Sequence, residues 1–243
     1  MTFAPDSSRV EDLAAFGPFF AVASHPPQAA PGAPWRPGSE LAGQSAALAA
    51  RIAAVRAVLA ARSGRGTGEI EPRVACSTVH LALAARLIAP ALGAAVLRCR
   101  LDMRPGGLWW QDEAAGPVPL SVPAPADGAA GQEDWDVRLL DETIAPVTAA
   151  IARLVPVSGR VLWGNVASAA NTAAAQVARQ RPDLAGGAWR AAARLLRSPR
   201  LRSEPSPPGP AFRRASCCLF YQLAPGGRSA ICGDCVLGGR RAR

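Results

Sequence analysis

Between Gln44 and Arg62, Leu48, Ile52, Val55 and Leu59 recur at helical spacing, Arg51, Arg56 and Arg62 fall elsewhere, and Gly64, Gly66 and Gly68 follow. This predicts an amphipathic core helix. A second helix is predicted from about Arg73 to Ile88, stopped by Pro90. The pattern then changes: Ala94 to Asp102 alternates in part, a Pro-Gly-Gly turn occupies 105–107, and LWWQDE follows, which predicts strand, turn and strand. Val118 to Val122 adds a third short strand, and Pro123 to Gln132 reads as loop. Helices resume over Trp135 to Leu154, with Pro146 as a point of interruption, over Asn165 to Gln180, with Asn165 as N-cap, and over Gly187 to Leu196. The expected fold class is α+β, predominantly α-helical, with a small antiparallel β insertion near 94–122 and a short C-terminal cysteine-rich module. The expected division is a poorly structured N-terminal segment (1–42), a helix-rich docking domain (43–202), a Pro-rich linker (203–211, around SEPSPPGP) and the module itself (212–243).

Composition adds a location. The chain has 243 residues and a formal net charge of +9, and all 27 basic side chains are arginine. Residues 1–185 hold 16 arginines and 16 acids, so the excess lies wholly in the last quarter, where 11 arginines face only Glu204 and Asp234. A basic tail of this kind fits a nucleic-acid arm, an acidic membrane contact or the surroundings of an anionic ligand. The first residues lack a positive n-region and a continuous apolar run, so no secretory leader is expected. The most apolar stretch, Leu81 to Leu97, carries Arg86 and Pro90 and falls short of the roughly 20 residues of a spanning helix. The expectation is a cytoplasmic protein, where clustered thiols point to metal or redox chemistry rather than structural disulfides.

The same tail carries four of the six cysteines: Cys217 and Cys218 adjacent, a 13-residue spacer, then Cys232 and Cys235 as a CxxC. Four thiols flanking a Pro-Gly-Gly turn at 225–227 form a four-coordinate soft-ligand set. Adjacent cysteines start with splayed Cβ vectors, which suits a two-metal target better than one tetrahedral ion. On spacing, an iron-sulfur cluster ranks ahead of zinc, and zinc ahead of a dithiol pair. A vicinal 217/218 disulfide would be strained.

Arg213 to Asp234 resembles the C-terminal motif of the FhuF family, the ferric siderophore reductases, in which a double cysteine precedes a spacer and a CxxC, as in CCLxYxLPGG...CGDC. EPRVACSTVHLALAARLIAP (71–90) and LWGNVASA (162–169) also look like that family's helical region. The family spacer is usually ten residues against 13 here, a difference that costs little loop entropy. The resemblance implies a [2Fe-2S] cluster bound by Cys217, Cys218, Cys232 and Cys235. Arg213, Arg214, Arg228, Arg240 and Arg241 stand near it in sequence to offset its charge, and Gly233 lets backbone amides approach the sulfurs. It implies a ferric siderophore reductase that passes one electron to chelated Fe(III) and releases Fe(II), so the cluster takes the place of a catalytic side chain. Its partners would be a ferric siderophore and an external donor, a ferredoxin or flavoprotein. Nucleic acid is not expected as a partner, and peripheral contact with the inner membrane or a siderophore permease stays open.

Other residues read more plainly. Cys76 and Cys99 sit singly in apolar elements and read as buried thiols. His80 reads as a satisfied core histidine and His25 as a loop residue without visible partners. Asp141/Glu142 and Glu69/Glu71 read as helix-start or solvated carboxylates. Trp109, Trp110 and Trp163 read as packing residues ahead of ligand contacts. No Gly-rich phosphate loop follows a strand, so a nicotinamide or flavin finds no support. Two rival functions remain at this level: a zinc-binding nucleic-acid module, and an iron-sulfur sensor or carrier without siderophore substrate.

Overall fold

The computed structural model describes residues 10–43, 46–113, 116–124, 134–202, 206–223 and 231–237. Five helices form the body: α1 (Ala46–Ser63), α2 (Pro72–Leu97), α3 (Ala145–Leu154), α4 (Gly159–Gln180) and α5 (Ala185–Leu196). α2 is the centre, packed on α4, α1 and α5 and on a short 3-10 helix, Asp12–Phe16. Its alanine-rich sequence favours helix, Pro72 suits the first turn, and Arg98 closes it in the left-handed region at φ 57°. By length and composition α2 could cross a membrane, with a mean hydropathy of 1.7, yet 72% of that window is buried inside the protein.

α2 does not stop at Pro90. The helix runs through it to Leu97, so the expected strand from Ala94 begins instead as the last turn of α2. A proline inside a helix costs about 3 kcal/mol. Here α2 is buried from Leu87 to Leu92 without a break, and packing outweighs that cost. Pro146 also leaves its helix unbroken: a turn at Trp135–Arg138 passes through a π-helical segment, Leu139–Ile144, into α3. The wider π turn makes room where the proline ring would meet the carbonyl four residues back.

The fold class is α+β and mostly helical, with a small sheet. That sheet is mixed and four-stranded, in the order β1 (Ala23–His25), β4 (Leu120–Pro123), β3 (Trp109–Trp110), β2 (Arg36–Pro37). β1 runs parallel to β4, with Ala23 opposite Ser121, and the other pairs are antiparallel. Two strands therefore come from the segment 1–42 that was expected to be poorly structured. Val10, Leu13, Phe16 and Phe20 of that segment are core residues as well. Arg86 explains the attachment: Nε donates to Val118 O at 2.5 Å, Nη1 to Phe19 O at 2.7 Å, and Nη2 to Ala21 O. The charge that interrupted the apolar stretch ties the N-terminal segment and the approach to β4 onto α2.

The stretch expected as a linker also lies on the body over its described residues. Gly209 N–H donates to Asn171 Oδ1 of α4 at 2.8 Å, and Phe212, the first residue beyond that stretch, is buried in the core.

Candidate metal centre

The chain turns sharply after the double cysteine. Leu219 adopts φ 69°, a costly conformation for a leucine, and its N–H returns to Cys217 Sγ at 3.3 Å. At the CxxC, Cys235 N–H closes a turn on Cys232 O at 3.0 Å, and Leu237 N–H reaches Cys235 Sγ at 3.4 Å. The amides found on sulfur thus include those of Leu219 and Leu237, and the Phe220 N–H bonds Cys218. The Gly233 position is open, with nothing within 4 Å of an added Cβ.

These turns bring the two halves together. Cys218 Sγ and Cys232 Sγ are 3.7 Å apart. All four thiols are free, so this is not a disulfide. Two thiolates on one tetrahedral metal with bonds of about 2.3 Å stand roughly 3.8 Å apart, so this pair already has the spacing a shared metal needs. The same contact can share a proton: the bond from Cys232 draws Cys218 below the usual thiol range, while that bond and burial push Cys232 up. Burial raises Cys217; the Leu219 amide and Arg214 oppose that rise, and Cys218 and Cys235 add to it, so these groups lie within electrostatic reach. Cys218 and Cys235 are buried, and Cys217 and Cys232 are half-exposed. Among the described residues no three Cys, His, Asp or Glu side chains gather as a single-ion cage.

Four contacts hold this loop to the body. Ser77 Oγ of α2 donates to Cys218 O at 2.9 Å, Ser216 Oγ donates to Arg160 O of α4 at 2.7 Å, and Arg65 Nη1 donates to Gln222 O at 2.8 Å. The fourth is Arg214, whose Nη2 donates to Asn165 Oδ1 at 2.5 Å and whose backbone N–H donates to Asp234 O at 3.0 Å. Asn165 in turn donates to Ser77 O at 3.1 Å and sits 3.4 Å from His80 Nδ1. Asn165 is therefore an interior residue of α4, which starts at Gly159, and not the expected N-cap. No periodicity marks it out; a fully buried amide on an alanine-rich helix was the available signal.

Arg214 is 1% exposed, and its Nε and Nη1 have no partner. Among the described residues four buried side-chain polar atoms lack a partner, and three of them belong to Arg214 and Asp234. Buried charged groups are ordinarily paired, so orphaned donors within electrostatic reach of Cys217 and Cys218 fit an anionic metal-thiolate group. Of the other arginines expected nearby, Arg213 donates to Phe212 O; Arg228, Arg240 and Arg241 lie outside the described residues, as does the turn at 225–229.

The remaining residues fall elsewhere. His80 is buried, with Nε2 3.0 Å from Thr148 Oγ1; burial, aided by Arg214, lowers its pKa to about 3. Cys76 and Cys99 are buried, and desolvation raises Cys76 to about 11. His25, expected to lack partners, sits in β1 with Nδ1 2.8 Å from Ser121 Oγ. Trp110 is fully buried, and Trp163 lies under the Arg200 guanidinium, 5.6 Å from the ring centroid. Asp141 pairs with Arg200, and Glu69 accepts from Gly66 N–H. A cavity of about 490 Å³ is lined by Arg98, Arg100, Arg104, Arg138 and Arg194. Arg104, Arg138 and Arg194 are matched by Asp102, Asp134 and Asp136. From Ser77, which holds the cysteine loop, its wall at Ala91 is fourteen residues further along α2, roughly 21 Å at helical rise.

Residues 214–237 match the family model described as the FhuF 2Fe-2S C-terminal domain. No curated protein matches the chain. The match spans the double cysteine and the CxxC, and the thiol donors, the 3.7 Å pair and the orphaned guanidinium suit that group. The C-terminal region is FhuF-like, and its cofactor is a [2Fe-2S] cluster.

Proposed function

We propose, for a chain whose C-terminal region is an FhuF-type 2Fe-2S domain, that it is a ferric siderophore reductase in which Cys217, Cys218, Cys232 and Cys235 hold the cluster. The observation that carries this reading is the meeting of the two cysteine pairs, with Cys218 and Cys232 at one metal's spacing and Cys217 and Cys232 half-exposed. When bound, the cluster supplies a single electron, which reduces chelated Fe(III) to Fe(II); hard oxygen chelators hold Fe(II) far more weakly and release it.

The protein's residues supply position and access. Ser77, Ser216 and Arg65 fix the cysteine loop to the helical body. Leu219 and Leu237 direct N–H groups at sulfur, which lowers electron density on the thiolates. Phe220, two residues after the double cysteine, and Val236, next to Cys235, are exposed and offer apolar surface to an approaching chelate. The arginine-lined cavity is too far along α2 to bring a chelate to those sulfurs. No proton or covalent step is needed, consistent with two histidines that are both engaged in structural contacts. Turnover would require an external one-electron donor to reload the centre, with Fe(II) released in the cytoplasm.

Anaerobic purification should yield a brown protein with visible charge-transfer bands and an EPR signal on reduction. Ferrozine should then trap Fe(II) from a panel of ferric siderophores when reductant is supplied. Cys232→Ser should abolish both colour and Fe(II) formation. A colourless protein with one zinc would overturn the reading. A brown protein that reduces no ferric chelate would replace it with an iron-sulfur sensor or carrier.

A further inference from the structure

Arg214 is the most deeply buried charged side chain among the described residues. Arg86 is also buried, and its Nε, Nη1 and Nη2 each meet a backbone carbonyl. Arg214 spends only Nη2, on Asn165 Oδ1 and at 3.4 Å on Val161 O, and leaves Nε and Nη1 unmatched. A structural arginine gains nothing from that arrangement, because an unpartnered buried charge is strongly destabilising. Its electrostatic reach includes Cys217 and Cys218. Asp234, whose backbone carbonyl accepts from Arg214, presents an equally orphaned carboxylate oxygen between the two cysteines of the CxxC.

We propose that Arg214, aimed by Asn165, sets the reduction potential of the cluster, with Asp234 as its opposing charge. This rests on the reading that the four cysteines hold the cluster. Two ferric ions, two sulfides and four thiolates carry a formal −2, and uptake of one electron makes this −3, with no bond to the protein made or broken. A fixed positive charge in a low-dielectric site stabilises the −3 state more than the −2 state and raises the potential; a fixed negative charge lowers it. Asn165 is a positioning residue: its amide oxygen orients the guanidinium and its nitrogen is anchored to Ser77 of α2.

The test is a dithionite titration with mediator dyes on the cluster-loaded full chain, read from the visible bands and the EPR signal. In Arg214→Gln the reduced-to-oxidised ratio at fixed ambient potential should fall at least tenfold, a downward shift of about 59 mV or more for one electron. Arg214→Lys should recover most of that shift, and Asp234→Asn should move the potential upward. If Arg214→Gln does not load, Asn165→Asp sets a carboxylate against the retained guanidinium and should also lower the potential. A wild-type potential in Arg214→Gln, or in both Asn165→Asp and Asp234→Asn, would overturn the proposal and leave the ligand reading standing. A wild-type chain that binds no cluster would instead overturn the ligand reading, and this proposal with it.

Discussion

Ser77, His80 and Asn165 are polar residues fully buried in the seam between α2 and α4. Each is satisfied, and together they carry hydrogen bonding from Thr148 of α3 to Arg214 and the Cys218 carbonyl. Asn165→Leu would leave both Arg214 and Ser77 short of a partner, and should cost about 3 kcal/mol in chemical denaturation. His80 gives this network a pH dependence. Its pKa is depressed to about 3 in the folded protein, so between that value and about 6.5 the unfolded chain binds the additional proton. The stability it contributes is complete above about 6.5 and is lost as pH falls, at about 1.4 kcal/mol per pH unit. Urea midpoints at pH 7 and pH 5 should show this loss in the wild type and a shallower one in His80→Gln.

At the scale of elements, α2 carries three different duties along its length. Ser77 holds the cysteine loop, the middle packs on α4, and Arg86 ties down the N-terminal segment. Gly93 belongs to the same junction, since an added Cβ would stand 2.8 Å from Leu13 and 3.0 Å from Phe20. Arg86→Met removes the donors of three backbone carbonyls and should destabilise the protein by about 3–5 kcal/mol. For a chain of this size that lowers the thermal midpoint by roughly 10 °C. Exposure of the segment 10–25 to limited proteolysis would accompany the loss, and an unchanged digestion pattern would show that Arg86 does not anchor it. Helix periodicity gave α1, α2, α4 and α5 to within a few residues at most ends. It failed at Pro90 because burial on all sides outweighs a local breaker, and at β1 and β2 because strands of three and two residues carry no readable alternation.

For the whole molecule, the cysteine loop is bonded to the body at several points in the described residues: α1's trailing loop, α2 and α4 each contribute a bond to it. Cluster binding should therefore stabilise the entire chain by mass action. Anaerobic calorimetry of the loaded protein should show one transition, and removal of iron by chelation should lower it. A helical transition that ignores the cluster would mean the tail folds independently.

The sequence by itself determined the chemistry. Six cysteines in a chain without lysine, four of them spaced as CC and CxxC beside clustered arginines, specify a soft-ligand set whatever the fold, because ligand type and spacing are local properties. The charge excess was also local, and the sequence placed it with the thiols. Only the tertiary structure decided which charge matters there. Arg213 and Arg214 are neighbours in sequence, yet only Arg214 is buried against Asn165 with donors to spare. That difference arises from contacts between residues 49 and more positions apart, where burial and hydrogen-bond satisfaction are settled by packing and leave no trace in spacing.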